Sequence, residues 1–241
     1  MTSSHQISKL KKINIVHLTS STKGGAGMAT MKIHKLFLEA GLNSILISKN
    51  TSFINHLINI GLYFKNFLKI FIPKKFLNRR RDKAFNNYES AYCFYQTKEL
   101  KKEGLHRNYL KNINKIDYLF IHWVSDFINT YDIQFLKLKY NCKVIFVMLD
   151  HAHISGGYHF LLNEYNDYLV SNGRQLKKPQ KKLYYDQLNI KKKIINTLSS
   201  DIISFSKRDL ELARKSEFEF HRYWVSVLPM NFKYFQPINS E

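Results

Sequence analysis

A glycine-rich run near the start of the chain carries the clearest chemical signal in the sequence. Lys23-Gly24-Gly25-Ala26-Gly27 places small residues behind a basic side chain, which lets backbone N–H groups approach a ligand closely. Such groups suit a phosphate or a sugar hydroxyl. We therefore assign ligand binding to Gly24, Gly25 and Gly27.

Two known phosphate-binding motifs do not fit this run. In the P-loop of the partitioning ATPases a lysine reaches the terminal phosphates, and Met28 stands in that place here. A thioether cannot neutralise phosphate charge. The dinucleotide fingerprint requires an acidic residue after the next strand, where the sequence has Ser48-Lys49-Asn50. Two interpretations remain, a ligand loop of another kind and a tight turn without a ligand.

Two polar side chains stand at the ends of apolar runs that predict buried strands. His122 follows one run and Asp150 follows the next. The imidazole of His122 could hydrogen-bond a sugar hydroxyl or help to place charge, or it could be a satisfied strand-end histidine. Asp150 could orient an acceptor hydroxyl or accept its proton, or it could cap the loop that follows. Both residues are candidates for catalysis.

Hydrophobic patterning predicts the elements that position these residues. Strands that alternate with helices predict an α/β fold with a doubly wound, Rossmann-like parallel sheet. Ligands bind outside the carboxyl ends of such strands, so we expect the glycine run, His122 and residues 150–157 to meet at one edge. The predicted strands cover 13–18, 42–47, 116–124, 143–150, 201–206 and 223–228, and the predicted helices cover 28–40, 133–140, 188–197 and 207–215.

The amino-acid composition limits the classes of protein to which the chain can belong. The 241 residues suit one α/β domain, and a formal net charge of +20 favours anionic partners such as lipid head groups, nucleic acid or phosphorylated substrates. The two cysteines, Cys93 and Cys142, give neither a disulfide framework nor zinc spacing. The sequence shows no signal-peptide core and no uninterrupted apolar run of about 18 residues. We expect a cytoplasmic protein without a spanning helix.

The segment 53–83 combines aliphatic and aromatic residues with lysine and arginine, and it contains a single acidic residue, Asp82. This composition is typical of an amphipathic segment in a membrane interface, where each basic residue near anionic lipid adds about 1 kcal/mol. An ordinary helix with a solvated basic face is the alternative. The residues assigned to the membrane are Lys65, Lys69, Lys74, Lys75, Arg79, Arg80 and Arg81.

Several pieces of sequence, in this order and spacing, resemble the N-terminal domain of bacterial family 4 glycosyltransferases with the GT-B fold. The resemblance covers nearly the whole chain and points to members that build surface polysaccharide or lipopolysaccharide. It implies a Rossmann-like acceptor-side domain over 1–228 and the start of an interdomain linker over 229–241, with the second domain expected to begin where this sequence stops. The matching pieces are 13–18 with 23–27, Asp117 with 121–123, Asp150 with 155–159, 204–206, and 228–237.

The resemblance implies retaining transfer from a nucleotide sugar to a lipid-linked or polysaccharide acceptor, at the inner face of the plasma membrane. His122 and Asp150 would be the catalytic residues. The family is generally metal-independent, and the nucleotide sugar is a co-substrate held mostly by the second domain, so no cofactor or metal is expected. The substrate-binding residues would be Gly24, Gly25, Gly27, Trp123, Gly156, Gly157 and His159.

Other interpretations stay open. The chain could be a catalytically incompetent acceptor- or membrane-binding domain that needs a separate donor-binding partner. His151, His153 and His159 could form a metal cluster, although no supporting carboxylate spacing accompanies them. Many relatives have cysteines after the paired glycines, whereas Tyr158 takes the first of these places here. Nucleic-acid binding rests on charge and aromatic residues alone, because no known binding module is present, so nucleic acid is not an expected partner.

Overall fold

The structure is a computed structural model that describes residues 13–49, 113–125, 127–157, 170–171, 174–175 and 178–229. The basic segment 53–83, with all seven residues assigned to the membrane, lies outside the described residues, as do His159 and residues 230–241. No helix in the described part of the chain is both long enough and apolar enough to cross a membrane.

The described residues form a six-stranded, all-parallel sheet, which confirms the predicted doubly wound α/β fold. The strand order is β2-β1-β3-β4-β7-β8, and β5 and β6 form a separate two-stranded antiparallel pair. The strands are β1 (Asn14–Thr19), β2 (Asn43–Ser48), β3 (Tyr118–Ile121), β4 (Lys143–Met148), β5 (Val170–Ser171), β6 (Arg174–Gln175), β7 (Asp201–Ser204) and β8 (Arg222–Val225).

Four α-helices and one short 3-10 helix accompany the sheet in the described residues. Helix α1 covers one face, where its Ile33 packs with Ile15 and Phe120. The other three helices pack their apolar residues against the opposite face, in a cluster that includes Leu119 and Ile202. The helices are α1 (Gly24–Glu39), α2 (Thr130–Tyr140), α3 (Lys178–Ile195) and α4 (Lys207–Lys215), and the 3-10 helix is His151–Ile154.

The central strands are mostly apolar because both of their faces are buried. Val16 and Leu119 are fully buried on one face, and Ile15 and Phe120, which point to the other face, are also buried. Buried strands of this kind give the continuous apolar runs from which the sheet was predicted. The edge strand β8 is more exposed, and half of the Trp224 side chain remains open to solvent.

Several element boundaries differ from the predicted ones. The predicted strand 116–124 shortens to Tyr118–Ile121, and the carboxylate of Asp117 just before it accepts a hydrogen bond from the backbone N–H of Asn14 at 2.8 Å. Helix α3 begins at Lys178, ten residues before the predicted start. Pro179 is compatible with this start, since proline is tolerated in the first turn of a helix.

Helix α1 ends as its sequence predicts. Gly41 adopts a φ of +76°, and its N–H donates to the carbonyl oxygen of Leu38 at 2.9 Å. The N–H of Leu42 donates to the carbonyl oxygen of Phe37 at 2.9 Å. The two bonds form a Schellman motif, in which glycine takes the left-handed position without steric cost.

Helix α2 is fixed at its start by a reciprocal capping box. The side chain of Asn129 accepts from the N–H of Asp132 at 3.0 Å, and the carboxylate of Asp132 accepts from the N–H of Asn129 at 3.1 Å. We predict that Asn129→Ala lowers the free energy of unfolding by about 1–2 kcal/mol, because a buried N–H loses its acceptor. Urea denaturation measures this change.

The matched control lies at the other end of α2. Asn141 has a φ of 49°, a left-handed conformation that glycine adopts freely, so Asn141→Gly should leave the unfolding free energy unchanged or raise it slightly. Equal losses in the two variants would show that the capping box contributes nothing particular to stability.

Candidate functional site

The candidate site lies at the point where the strand order of the sheet reverses. After β1 the chain passes through α1 to β2 on one side of β1, and β3 then pairs with β1 on its other side. In an open α/β sheet, the connections leave such a point in opposite directions and open a crevice outside the carboxyl ends of the two strands. The crevice here lies above the ends of β1 and β3.

Hydrogen bonds tie together the loops that follow β1 and β3. The N–H of Ser20 donates to the carbonyl oxygen of Trp123 at 2.6 Å, and the Ser20 hydroxyl donates to the carbonyl oxygen of Ser125. The N–H of His122 donates to the carbonyl oxygen of Leu18 at 3.0 Å. These bonds fix the position of one loop relative to the other, so the floor of the crevice is preorganised.

The glycine run forms the first turn of α1 rather than the loop that its sequence suggests. The loop itself comprises residues 20–23, and the helix starts at Gly24, whose φ of +76° only glycine adopts without strain. Lys23 is the N-cap residue and its side chain makes no capping hydrogen bond, and the first turn contains no acidic residue. The N–H groups of this turn and the positive end of the helix dipole therefore lie at the edge of the crevice.

Gly25 and Gly27 have different surroundings. A Cβ atom built on Gly25 meets nothing within 4 Å, so the space beside this exposed residue is open. A Cβ atom on Gly27 would lie 2.6 Å from the carbonyl oxygen of Ser21, so any side chain there collides with the loop. Gly27 thus lets the helix pack against its own loop, while Gly25 leaves room for a ligand.

His122 lies one layer below the crevice and pairs with a second histidine, His17 of β1. The two rings stack at 29° with centroids 5.2 Å apart, and Nδ1 of His17 lies 2.9 Å from Nε2 of His122. Neither side chain is accessible to solvent. Nε2 of His17 and Nδ1 of His122 have no hydrogen-bond partner within the part of the chain that the structure describes.

Burial keeps both imidazoles neutral. Loss of hydration, together with a smaller effect of the nearby His34, lowers the pKa of His17 from 6.5 to about 3. Burial also lowers the pKa of His122 well below 6.5, with smaller effects from His17 and His153. At neutral pH the pair is therefore uncharged, and each ring carries its proton on one nitrogen.

Asp150 takes the capping position that was one of its two predicted roles. Its carboxylate accepts from the N–H of Ala152 at 2.9 Å and so starts the 3-10 helix. The buried His151 that follows lies with Nε2 3.0 Å from a carboxylate oxygen of Asp209 in α4. These contacts hold the segment after β4 against the helix that follows β7.

The paired glycines are buried beneath α3 rather than open to the crevice. A Cβ atom on Gly156 would lie 2.2 Å from the carbonyl oxygen of Tyr184, and the carbonyl oxygen of Gly156 accepts from the Gln187 side chain at 2.7 Å. Gly157 is also buried. Close packing between this segment and α3 thus explains why glycine is required at position 156 without involving a substrate.

The structure therefore brings together only part of the set that the sequence singled out. Gly24, Gly25 and Gly27 border the crevice with the half-buried Trp123, and His122 is completely buried below the strand ends. Asp150 lies at the carboxyl end of β4, the next strand along the sheet. His159 lies outside the described residues.

The described residues form no metal site, and a cavity among them is small. No group of three His, Cys, Asp or Glu side chains there is arranged to hold a metal ion. A cavity of about 30 Å³ lies near α2 and α3 and is lined in part by Ser125, His153 and Lys191. Pockets for small ligands span roughly 300–1,000 Å³, so this cavity suits one or two water molecules rather than a sugar.

Sequence reasoning missed His17, Ser20 and Asp209. His17 sits opposite Phe120 in the register of β1 and β3, and His122 follows two residues later on the same face. Its partnership with His122 becomes visible only when the two strands are known to be neighbours. Ser20 and Asp209 lack a sequence signal, because their roles depend on contacts with distant loops.

The fold and the site together define an α/β protein with a Rossmann-like parallel sheet and a preorganised crevice at its switch point. Comparison with known protein families gives no matching family, and comparison with curated proteins gives no match either.

The buried histidine pair makes stability depend on pH. Because the pKa of His17 is about 3 in the folded protein and 6.5 when exposed, the unfolded chain binds the proton more readily between these values. We predict that the unfolding free energy falls as the pH is lowered from 6.5 toward 3, by up to about 1.4 kcal/mol per pH unit for His17. Urea denaturation at a series of pH values measures this slope.

Two variants separate this contribution from that of other groups. His17→Phe removes the titrating ring and should make the slope shallower. Phe37→Leu changes packing against the same ring, which lies 5.3 Å away, and should shift stability equally at every pH. A slope in His17→Phe as steep as in the unaltered protein would contradict the assignment of a neutral His17.

Proposed function

We propose that this chain is the acceptor-binding N-terminal half of a retaining, nucleotide-sugar-dependent glycosyltransferase that acts on a lipid-linked or polysaccharide acceptor. The reaction would take place at the cytoplasmic face of the membrane. The observation that carries the proposal is the open first turn of α1 at the switch point. Lys23 does not cap this turn, and the space beside Gly25 is empty.

This arrangement suits a diphosphate. The first N–H groups of a helix have no partner within the helix, and the helix dipole favours negative charge at this end. A phosphate oxygen placed beside Gly25 would accept hydrogen bonds from these N–H groups. Both the nucleotide-sugar donor and a lipid-linked acceptor carry a diphosphate, so one anion site serves either substrate.

Charge supports an anionic substrate. Lys23 is exposed at the start of α1, and the formal net charge of +20 favours anionic partners. The same charge favours a peripheral position on an anionic membrane, where a lipid-linked acceptor would be presented. Nucleic acid remains the weaker alternative, because it rests on charge and aromatic residues alone and no known binding module is present in the sequence.

The strand ends supply the groups that the resemblance assigns to sugar transfer. His122 lies beneath the crevice as a neutral imidazole that can donate or accept one hydrogen bond. Asp150 stands at the end of the adjacent strand β4, where a carboxylate could orient an acceptor hydroxyl. In this proposal the present chain positions the acceptor and one phosphate, and a second domain or partner binds the nucleotide.

The proposal is tested by binding of farnesyl diphosphate, a soluble polyprenyl diphosphate, measured by titration calorimetry. We predict that the unaltered chain binds it and that Gly25→Val weakens binding by at least about tenfold, equivalent to 1.4 kcal/mol. The valine side chain would fill the open space in front of the first-turn N–H groups. It should not disturb the fold, because no atom lies within 4 Å of the position where its Cβ would stand.

Leu38→Val provides the matched control, since Leu38 is exposed in the last turn of the same helix, far from the crevice. This variant should bind farnesyl diphosphate as the unaltered chain does. Absence of binding to the unaltered chain, or equal binding by the two variants, would overturn the proposed function.

A further inference from the structure

The solvent-facing side of helix α1 is more apolar than that of an ordinary surface helix. A helix that packs on a core with one side normally presents charged and polar residues on the other. In α1 that side carries Met28, Met31 and Leu38, whose exposed fractions are 57%, 37% and 48%. Leu36 beside them is 45% exposed. In α2, by contrast, Leu138 is the one exposed large apolar residue among those described.

The exposed apolar residues of α1 form a row that also contains a lysine. Four residues recur at intervals of three or four positions, which is the spacing of one helix face. We call this row the outer face of α1, and it comprises Met28, Met31, Lys35 and Leu38. The other side of the helix carries Ile33, which packs with Ile15 and Phe120 of the sheet. The outer face is therefore turned away from the core.

The outer face begins at the open first turn of the helix. Gly24 and Gly25 precede Met28 by four and three residues, so they lie on the same side of α1, and both are exposed. The space beside Gly25 is open. A surface that covered the outer face would therefore adjoin the N–H groups at the edge of the crevice.

The charges of α1 suit an anionic surface. Lys35 lies within the outer face, and Lys23 and Lys32 are exposed beside it. Glu39 is the single acidic residue of the helix and lies at the end remote from the crevice. Lysine places its apolar stem along a hydrophobic surface while its ammonium group reaches the phosphates of lipid head groups. Exposed methionine and leucine combined with lysine are typical of a helix in a membrane interface.

A second copy of the chain fits the outer face less well than lipid does. Two such faces in contact would bring the lysines of both copies together, and each chain carries a formal net charge of +20. Like charges that face each other oppose association. An anionic bilayer, in contrast, is attracted by each lysine that approaches it.

We propose that the outer face of α1 contacts an anionic phospholipid bilayer, with Met28, Met31 and Leu38 entering the boundary between head groups and acyl chains. The contact places the crevice at the membrane surface, where the diphosphate of a lipid-linked acceptor lies. The second statement rests on the proposed function, whereas the bilayer contact does not. This contact is separate from the one predicted for 53–83, because it is made by the helix that borders the crevice.

Methyl NMR of the methionines tests the contact where it is made. The segment 53–83 is itself a predicted membrane contact, so binding of the whole chain to lipid does not test α1. The full chain is labelled at the methyl groups of its five methionines, and Met148, buried in β4, serves as the internal reference. The probes are bicelles of phosphatidylcholine and phosphatidylglycerol, compared with and without a nitroxide-labelled lipid.

We expect the nitroxide to broaden the methyl signals of Met28 and Met31 and to leave that of Met148 unchanged. A nitroxide on the acyl chain broadens only those methyl groups that come close to the lipid. Signals of Met28 and Met31 that the nitroxide does not affect overturn the proposal and leave the outer face to a protein partner.

Substitutions separate the apolar contact from the general attraction of charge. Met28→Gln combined with Met31→Gln keeps the side-chain length and the helix propensity but removes the apolar character. We expect this double variant to partition into vesicles of phosphatidylcholine and phosphatidylglycerol at least about fivefold more weakly than the unaltered chain. Leu138→Gln makes the same kind of change on α2, at the opposite face of the sheet, and should leave the partitioning unchanged. Equal partitioning of the double variant and Leu138→Gln would contradict the contact.

Inorganic pyrophosphate distinguishes a failure of the bilayer contact from a failure of the proposed function. Titration calorimetry with pyrophosphate in the absence of lipid reports on the anion site alone. Broadening of Met28 and Met31 without pyrophosphate binding would support the bilayer contact and overturn the proposed function. Pyrophosphate binding without broadening would overturn the bilayer contact and leave the proposed function standing.

Discussion

The parallel pairing of β1 with β3 is the constraint on which the rest of the site depends. It sets His17 opposite Phe120 and brings His122, two residues later, against the ring of His17. It also aligns the ends of the two strands, so that Ser20 reaches the carbonyl oxygen of Trp123. A shift of one residue in this register would move His17 or His122 to the other face of the sheet and separate the pair.

Two imidazoles in the centre of a sheet are costly, and the fold reduces that cost in two ways. The hydrogen bond between them satisfies one nitrogen of each ring, and burial keeps both rings uncharged. Aliphatic residues at these positions would pack without unpaired nitrogens and would stabilise the core more simply.

Much of the fold follows from local pattern, and much of the site does not. The buried strands are recognisable in the sequence as continuous apolar runs. Gly41 marks the end of α1, where it adopts a left-handed conformation. The start of α3 was missed because Lys178 and its neighbours are polar and give no apolar period there. The partnership of His17 with His122 spans 105 positions in sequence, and a single sequence does not show which strands are neighbours.

The glycines show that one residue type can be required for different structural reasons at different positions. The sequence groups Gly24, Gly25 and Gly27 as ligand-binding residues, but their surroundings differ. Gly24 adopts a positive φ, Gly25 has open space beside it, and Gly27 packs tightly against the loop. Gly156 was assigned to substrate binding, and it also allows a close approach of α3 that no larger residue permits. Sequence reasoning identifies where glycine is required, but the neighbouring atoms decide why.

The central claim is that a diphosphate binds at the switch point, between the first turn of α1 and the loop after β3. Amide hydrogen exchange of the full chain, followed by mass spectrometry with and without saturating pyrophosphate, tests it most directly. The account predicts slower exchange in peptides that cover residues 20–27 and 122–125, with little change along α2 and α4. Protection confined to other parts of the chain, or no protection at any peptide, would contradict it.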